Sequence, residues 1–307
     1  NRALILNALS YSPYDIQNLS DCDDTEVMVR ALNSDSRDFD IKAAGTAMRF
    51  LTAFLSKIVG EWTITGTERM KNRPIKLLVD ALNSLGARIE YIEKEGYPPL
   101  RIFGSTLQGG EISLAGGVSS QYISALLMVA PLMENGLTLN LEGNIISRPY
   151  IDLTLQLMEQ FGVKATWNGQ TIRILPQEYK PIRFTVESDW SAASYWYSIM
   201  ALSKNAEIEL LGLFKNSLQG DAAGDLHREM LHAQHTPCGL AADSEGIGQN
   251  IIQRFTVGQL LLQCRSLGLQ LGIRHRLILA FQSQHLFGEG VDLFQFPVRE
   301  AAKEFFS

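Results

Sequence analysis

A repeat with a period of about 70 to 75 residues constrains this chain more than any other feature. Ala43-Ala44-Gly45-Thr46-Ala47-Met48-Arg49, Gly117-Val118-Ser119-Ser120-Gln121-Tyr122 and Ser188-Asp189-Trp190-Ser191-Ala192-Ala193-Ser194-Tyr195 are each small and polar. Each opens into an apolar run of helical character: Phe50 to Leu55, Ile123 to Leu132 and Trp196 to Leu202. Thr46 lies 74 residues before Ser120, and Ser120 lies 72 before Ala192. A fixed period means a duplicated unit. The repeated part is a helix start with free N–H groups, which suits an anion. Three such starts imply a substrate with several phosphates or carboxylates.

A second repeated feature keeps the period. Thr65-Gly66-Thr67-Glu68-Arg69-Met70-Lys71-Asn72-Arg73-Pro74-Ile75 leads into Leu77 to Leu85, then Gly86 and the alternating Ala87 to Tyr91. Glu142-Gly143-Asn144-Ile145-Ile146-Ser147-Arg148-Pro149-Tyr150-Ile151-Asp152 leads into Leu153 to Phe161, then Gly162 and Val163 to Thr166. Pro74 and Pro149 are 75 apart. Proline suits the first helical turn, and a glycine just past the last turn ends a helix. Leu100 to Phe103 and Thr171 to Leu175 read as the closing strands. Weaker copies begin at Leu19-Ser20-Asp21-Cys22-Asp23-Asp24, before Val27 to Leu32, and at Leu211 to Asp221. The unit reads strand, helix, strand, helix, strand, strand.

A chain of 307 residues exceeds one ordinary core and points to two domains. Its net charge of −6 and lack of a basic run argue against nucleic acid. Cys22, Cys238 and Cys264 form no motif, which fits a reducing cytoplasm. No apolar run is long enough to span a membrane, and no signal peptide is visible. Asn1-Arg2 opens inside a helical pattern, Ala3 to Leu9, so residues are expected before it.

Composition shifts near the other end. All five histidines (His227, His232, His235, His275 and His285) follow Asp225, but only Lys303 of the ten lysines does. Clean periods are hard to find between Gly224 and Val257. The shift falls inside the third repeat, where a domain boundary makes no structural sense. Residues 224–307 therefore read as heavy divergence or as a tail outside the original reading frame.

Gly45-Thr46-Ala47-Met48-Arg49, Arg69-Met70-Lys71-Asn72-Arg73-Pro74, Ser119-Ser120-Gln121-Tyr122 and Ser147-Arg148-Pro149-Tyr150-Ile151-Asp152 come in one order, after Asn1-Arg2-Ala3-Leu4. In these motifs, over roughly residues 1 to 223, the chain resembles the 5-enolpyruvylshikimate-3-phosphate synthase family of enolpyruvyl transferases. The resemblance implies an α/β, enolpyruvyl transferase-like fold of two domains, each built from three βαβαββ units, with the active site between them. The first domain would be 1–187. The partial second, 188–307, would be incomplete or divergent. The implied reaction moves the enolpyruvyl group of phosphoenolpyruvate to the 5-hydroxyl of shikimate 3-phosphate and releases phosphate. It implies no cofactor or metal, and a cytoplasmic monomer with small-molecule substrates, no nucleic acid and no membrane.

Both substrates are polyanions, so arginines, hydroxyls and helix starts suit them. By resemblance, Arg73 grips phosphoenolpyruvate, with Gly45 and Thr46 as donors beside it and Arg49 and Arg69 as nearby charge. Ser119, Ser120 and Ser147 hold the shikimate phosphate. Gln121 sits between the substrates, Tyr150 on the shikimate side, and Arg2 on its carboxylate. The reaction also needs an acid to protonate the methylene and a base for the hydroxyl proton. The family's Pro-Asp-Ala-like and Lys-Glu-Thr-Asp-Arg motifs, which carry these groups, are not found. Arg274 to Phe281 is only faintly similar to its Asp-His-Arg-Met-Ala motif, and its Gly-Ser-Lys-Ser segment does not precede Asn1.

Plainer readings compete. Gly45-Thr46 alone is an ordinary helix start, and Arg73 alone an ordinary solvated arginine. Arg148 reads as structural, Asp189 as a helix cap, and Trp190, Trp196 and Tyr197 as core. His227, His232, His235 and Cys238 have zinc-type side chains, but their spacing does not gather them on one helix face. Asp21, Asp23 and Asp24 lack calcium-loop spacing and suit a helix start. The sister enzyme acting on UDP-N-acetylglucosamine carries a cysteine in a glycine-rich loop, and Gln108-Gly109-Gly110-Glu111 has none. A chain that only binds shikimate 3-phosphate is the other alternative.

Overall fold

The computed structural model describes residues 1–193, 195–196, 210–214 and 217–219, and the backbone of 250–253. The chain divides into two compact units. The first holds Asn1–Glu187, and the second begins at Ser188.

Within the first unit the repeat is explicit. β1 (Asp38–Asp40), α3 (Gly45–Lys57), β2 (Gly60–Thr65), α5 (Lys76–Ser84), β3 (Arg88–Tyr91) and β4 (Leu100–Gly104) form one copy, with the short α4 (Glu68–Lys71) ahead of α5. β5 (Gly110–Ala115), α6 (Ser120–Val129), β6 (Leu137–Glu142), α7 (Arg148–Gln160), β7 (Ala165–Asn168) and β8 (Thr171–Ile174) form the next. The two sheets have the same order, β1-β2-β4-β3 and β5-β6-β8-β7. In each the first pair is parallel and the others antiparallel. Thr46 and Ser120 thus open topologically equivalent helices. A third, partial copy has α1 (Arg2–Leu9) and α2 (Asp23–Leu32). There the parallel partner of the segment after α1 comes from far along the chain, at Gln17 and Thr185.

Strands such as β4, β6 and β8 bury alternate residues, as a sheet covered on one face must. The helices α3 and α6 bury nearly every side chain: Ala47 to Ala53 in one, Tyr122 to Val129 in the other. A helix apolar on all sides belongs in a core. Helices pack inside and sheets outside. α1, α3 and α6 touch one another, while α2 packs on α3, α5 on α6 and α7 on α1. Each copy's second helix thus leans on the first helix of the next, a cyclic arrangement of three. Phe50 on α3 is fully buried. Phe50→Ala is expected to cost roughly 3–5 kcal/mol.

The helix stops match the sequence reading. Gly86 and Gly162 follow α5 and α7 with φ of 99° and 88°, a conformation natural to glycine. One start differs. Pro149 lies in the first turn of α7, but Pro74 precedes Ile75, the residue that caps α5. α5 thus starts two residues after its proline, where α7 starts one residue before, and the Ile75 N–H donates to Gly96 O.

In the second unit Asp189 accepts from Ser191 N, as a cap should. Trp190 is buried, but Trp196 is half exposed, contrary to the core expectation. An indole is large enough that one side often stays at the surface. β9 (Leu210–Phe214) pairs antiparallel with β10 (Asn250–Gln253). The readings made for Ser194, Tyr197, the histidine cluster, Cys238, Cys264 and Arg274 to Phe281 lie outside the described residues.

Candidate functional site

Two sets of helix starts and loops gather in the first unit. The first forms at α3. Its cap residue, Ala44, has no side-chain acceptor. The leading N–H groups find one elsewhere: Asp24, on α2, accepts from Thr46 N at 2.8 Å and Ala47 N at 3.1 Å. Asp23 and Asp24 do lie in the first turn of α2 as the sequence suggested. The cap that Asp24 provides across helices has no local sequence signal. The backbone donor of Thr46 is thereby taken, which leaves its hydroxyl. The Thr46 hydroxyl accepts from Gln121 Nε2 at 3.1 Å and keeps its own proton to donate. Gln121, on α6, is thereby fixed between two copies of the repeat.

Arg73 lies over Gly45 so closely that a β-carbon there would collide with its guanidinium. Burial chiefly, then the Arg49 and Arg69 charges, holds the Arg73 pKa below the usual guanidinium range. No side-chain hydrogen bond or ion pair engages the Arg73 guanidinium among the described residues. Arg49 differs from a free site charge. It is buried, 5 % exposed, and donates to Gly45 O at 2.9 Å and Pro74 O at 3.2 Å. Its ring neighbour Tyr122 donates to the same Pro74 carbonyl at 2.6 Å. Arg49 is therefore a strut between the Gly45 and Arg73 loops, and its charge reaches Arg73. Arg69 is exposed on α4.

The second set lies at α6 and α7. Ser119 caps α6, accepting from Gln121 N at 3.3 Å, and Ser120 is the first helical residue. Ser147 stands at the cap of α7, where its carbonyl accepts from Tyr150 N and its hydroxyl makes no cap hydrogen bond. Gly116 N donates to Glu142 O and Ile146 N to Gly116 O, which ties the two loops together. The three serines thus sit on two adjoining helix starts. Arg148 is a largely exposed arginine, 3.8 Å from Asp152 and over the Trp167 ring.

Arg2 is held between α6 and α7, with Nε donating to Thr154 Oγ1 at 2.7 Å and Nη2 to Ser124 Oγ at 3.2 Å. Burial pushes its pKa down to about 10, opposed by Tyr150, so it is charged at neutral pH. Tyr150 is half exposed beside it. Helix starts, hydroxyls and cations form anion-binding chemistry, although one carboxylate, Asp24, already occupies the α3 start.

The family model described as EPSP synthase (3-phosphoshikimate 1-carboxyvinyltransferase) matches residues 33–237. The chain belongs to the EPSP synthase family. The match reaches past residue 223, where the motif reading ends. The chain is 62% identical over 225 residues to a 3-phosphoshikimate 1-carboxyvinyltransferase of Bacteroides fragilis, covering 73% of this chain and 55% of that one. It is 42% identical over 250 residues to the protein of that name from Vibrio atlanticus, covering 72% and 58%. The chain therefore spans little more than half the length of these relatives. The structure of EPSP synthase from Acinetobacter baumannii has a similar fold, with a TM-score of 0.65. It is 19% identical and covers 84% of this chain and 62% of that one.

The helix starts at Thr46 and Ser120 share the first unit, while the one at Asp189 belongs to the second. The third central helix of the first unit is α1, which begins at Arg2. Asp24, Tyr122, Ser124 and Thr154 are site neighbours that sequence reasoning passed over.

Proposed function

We propose that this chain takes part in transfer of the enolpyruvyl group of phosphoenolpyruvate to the 5-hydroxyl of shikimate 3-phosphate, and that its first unit binds the substrates. The supporting observation is the juxtaposition of Arg73 with Gly45, beside Thr46 and Gln121, in a chain of this family. Arg73 grips phosphoenolpyruvate, with the Thr46 hydroxyl as a donor and Arg49 and Arg69 adding positive field. Ser119, Ser120 and Ser147 take the 3-phosphate. Gln121 stands between the substrates, Tyr150 beside the shikimate ring, and Arg2 on the ring carboxylate.

In the reaction a base takes the proton of the 5-hydroxyl as its oxygen bonds to C2 of phosphoenolpyruvate, and an acid protonates the methylene. The C2–O bond to phosphate then breaks and a proton leaves to restore the alkene. Residues 1–187 serve as the first domain and 188–307 as part of the second, from which the acid and base are expected. The protein acts as a cytoplasmic monomer, without a cofactor.

The test is phosphate release by the purified chain with both substrates saturating. Turnover near the common enzyme median of about 10 s⁻¹ places an acid and a base within this chain. Substrate binding with no release makes it a binder of shikimate 3-phosphate alone.

A further inference from the structure

Arg2 is a largely desolvated cation whose hydrogen-bond partners are two neutral hydroxyls. Buried charges are ordinarily paired with opposite charge. No carboxylate lies within ion-pair distance of Arg2 among the described residues. The hydroxyls themselves are fully buried, Ser124 on α6 and Thr154 on α7.

Their protons can be assigned by counting. Thr154 donates its single hydroxyl proton to Tyr150 O at 2.8 Å. Ser124 and Thr154 oxygens are 2.8 Å apart, so Ser124 supplies the proton of that bond. Thr154 Oγ1 then accepts from both Ser124 and Arg2 Nε, and Ser124 accepts from Arg2 Nη2. Every hydroxyl proton has one place to go. The Nε edge of the guanidinium is held from both sides, and the Phe50 ring lies 5.5 Å from its centre. Nη1 makes no hydrogen bond among the described residues. The charge is oriented, but it is not neutralised.

We propose that Thr154 and Ser124 are positioning residues that aim Arg2 at a carboxylate of the bound substrate. This rests on the proposed binding of shikimate 3-phosphate, whose ring carboxylate is the matching group. A carboxylate on Arg2 would have made a fixed internal ion pair. Neutral hydroxyls fix the fork and leave its charge for a ligand. They also join α1, α6 and α7, so the aim of Arg2 is set by the packing of three helices.

The test uses the full chain with Thr154→Val, Thr154→Ser and Ser124→Ala, each checked for folding by circular dichroism. Two quantities are read: the Kd for shikimate 3-phosphate, and hydrogen exchange of the Arg2 Nε–H by nitrogen-edited NMR. Thr154→Val is expected to weaken binding about tenfold and speed that exchange. Thr154→Ser should restore both, which a purely packing role of the methyl would not predict. If Thr154→Val fails to fold, Ser124→Ala carries the test, with binding about threefold weaker. Binding as tight as wild type in the folded variants, or an equally protected Nε–H, overturns the proposal. A wild-type chain that binds no shikimate 3-phosphate overturns the proposed function instead, and the exchange measurement still decides whether the hydroxyls hold Arg2.

Discussion

The guanidinium of Arg73 rests on Gly45, occupying the space that a side chain at 45 would need. The glycine here makes room for a cation and is not required by its own backbone, which lies outside the left-handed region. Two segments that the sequence separates, the start of α3 and the loop before α5, thus meet at the charge proposed to hold phosphoenolpyruvate.

Gly45→Ala should therefore separate binding from stability. The new methyl meets the far end of a flexible side chain, which can swing away, so folding should change by about 1 kcal/mol or less. Swinging Arg73 aside removes charge-assisted hydrogen bonds worth roughly 1.5–3 kcal/mol each. Phosphoenolpyruvate affinity should fall by about tenfold or more. Calorimetric titration and a thermal melt on the same sample check both halves, and unchanged affinity with an unmoved melt contradicts the account.

Much of this was legible in the sequence because it is local. The helix stops at Gly86 and Gly162, the alternating strands and the 75-residue spacing of Pro74 and Pro149 are written in consecutive residues. The cap that Asp24 lends to α3 was not, since 22 residues and a change of helix separate it from Thr46. Nor was the Arg2 network, which draws on α1, α6 and α7. Arg49 reads as a site charge in its motif, but its 5 % exposure and its bonds to two carbonyls make it a strut. The packing of α1 as a third central helix beside α3 and α6 was not legible either, since spacing alone does not fix it.

Asp24→Ala removes the acceptor for two N–H groups in a helix whose own cap residue offers none. Loss of such a cap costs about 0.5–2 kcal/mol. In a unit of this size that lowers the midpoint of thermal unfolding by roughly 2–4 °C per kcal/mol. Asp24→Asn keeps an acceptor oxygen and should lose less. Equal melting of both variants with wild type would show that the α3 start does not depend on this carboxylate.

Arg49→Lys should be as harmful as loss of the side chain would suggest, despite keeping the charge. A lysine cannot span Gly45 O and Pro74 O with a planar fork. The buried carbonyls would lose their donors, at about 1–3 kcal/mol. Chemical denaturation measures this, and a stability within about 0.5 kcal/mol of wild type argues against the strut.

The central claim is that the adjoining starts of α6 and α7 bind the phosphate of shikimate 3-phosphate. The most direct measurement is its titration into the wild-type chain and into the Ser119→Ala, Ser120→Ala double variant. The account predicts saturable binding by the wild type, and a loss of roughly 1.5–3 kcal/mol for each hydroxyl removed. Absence of saturable binding by the wild type, or equal affinity in the folded double variant, would contradict it.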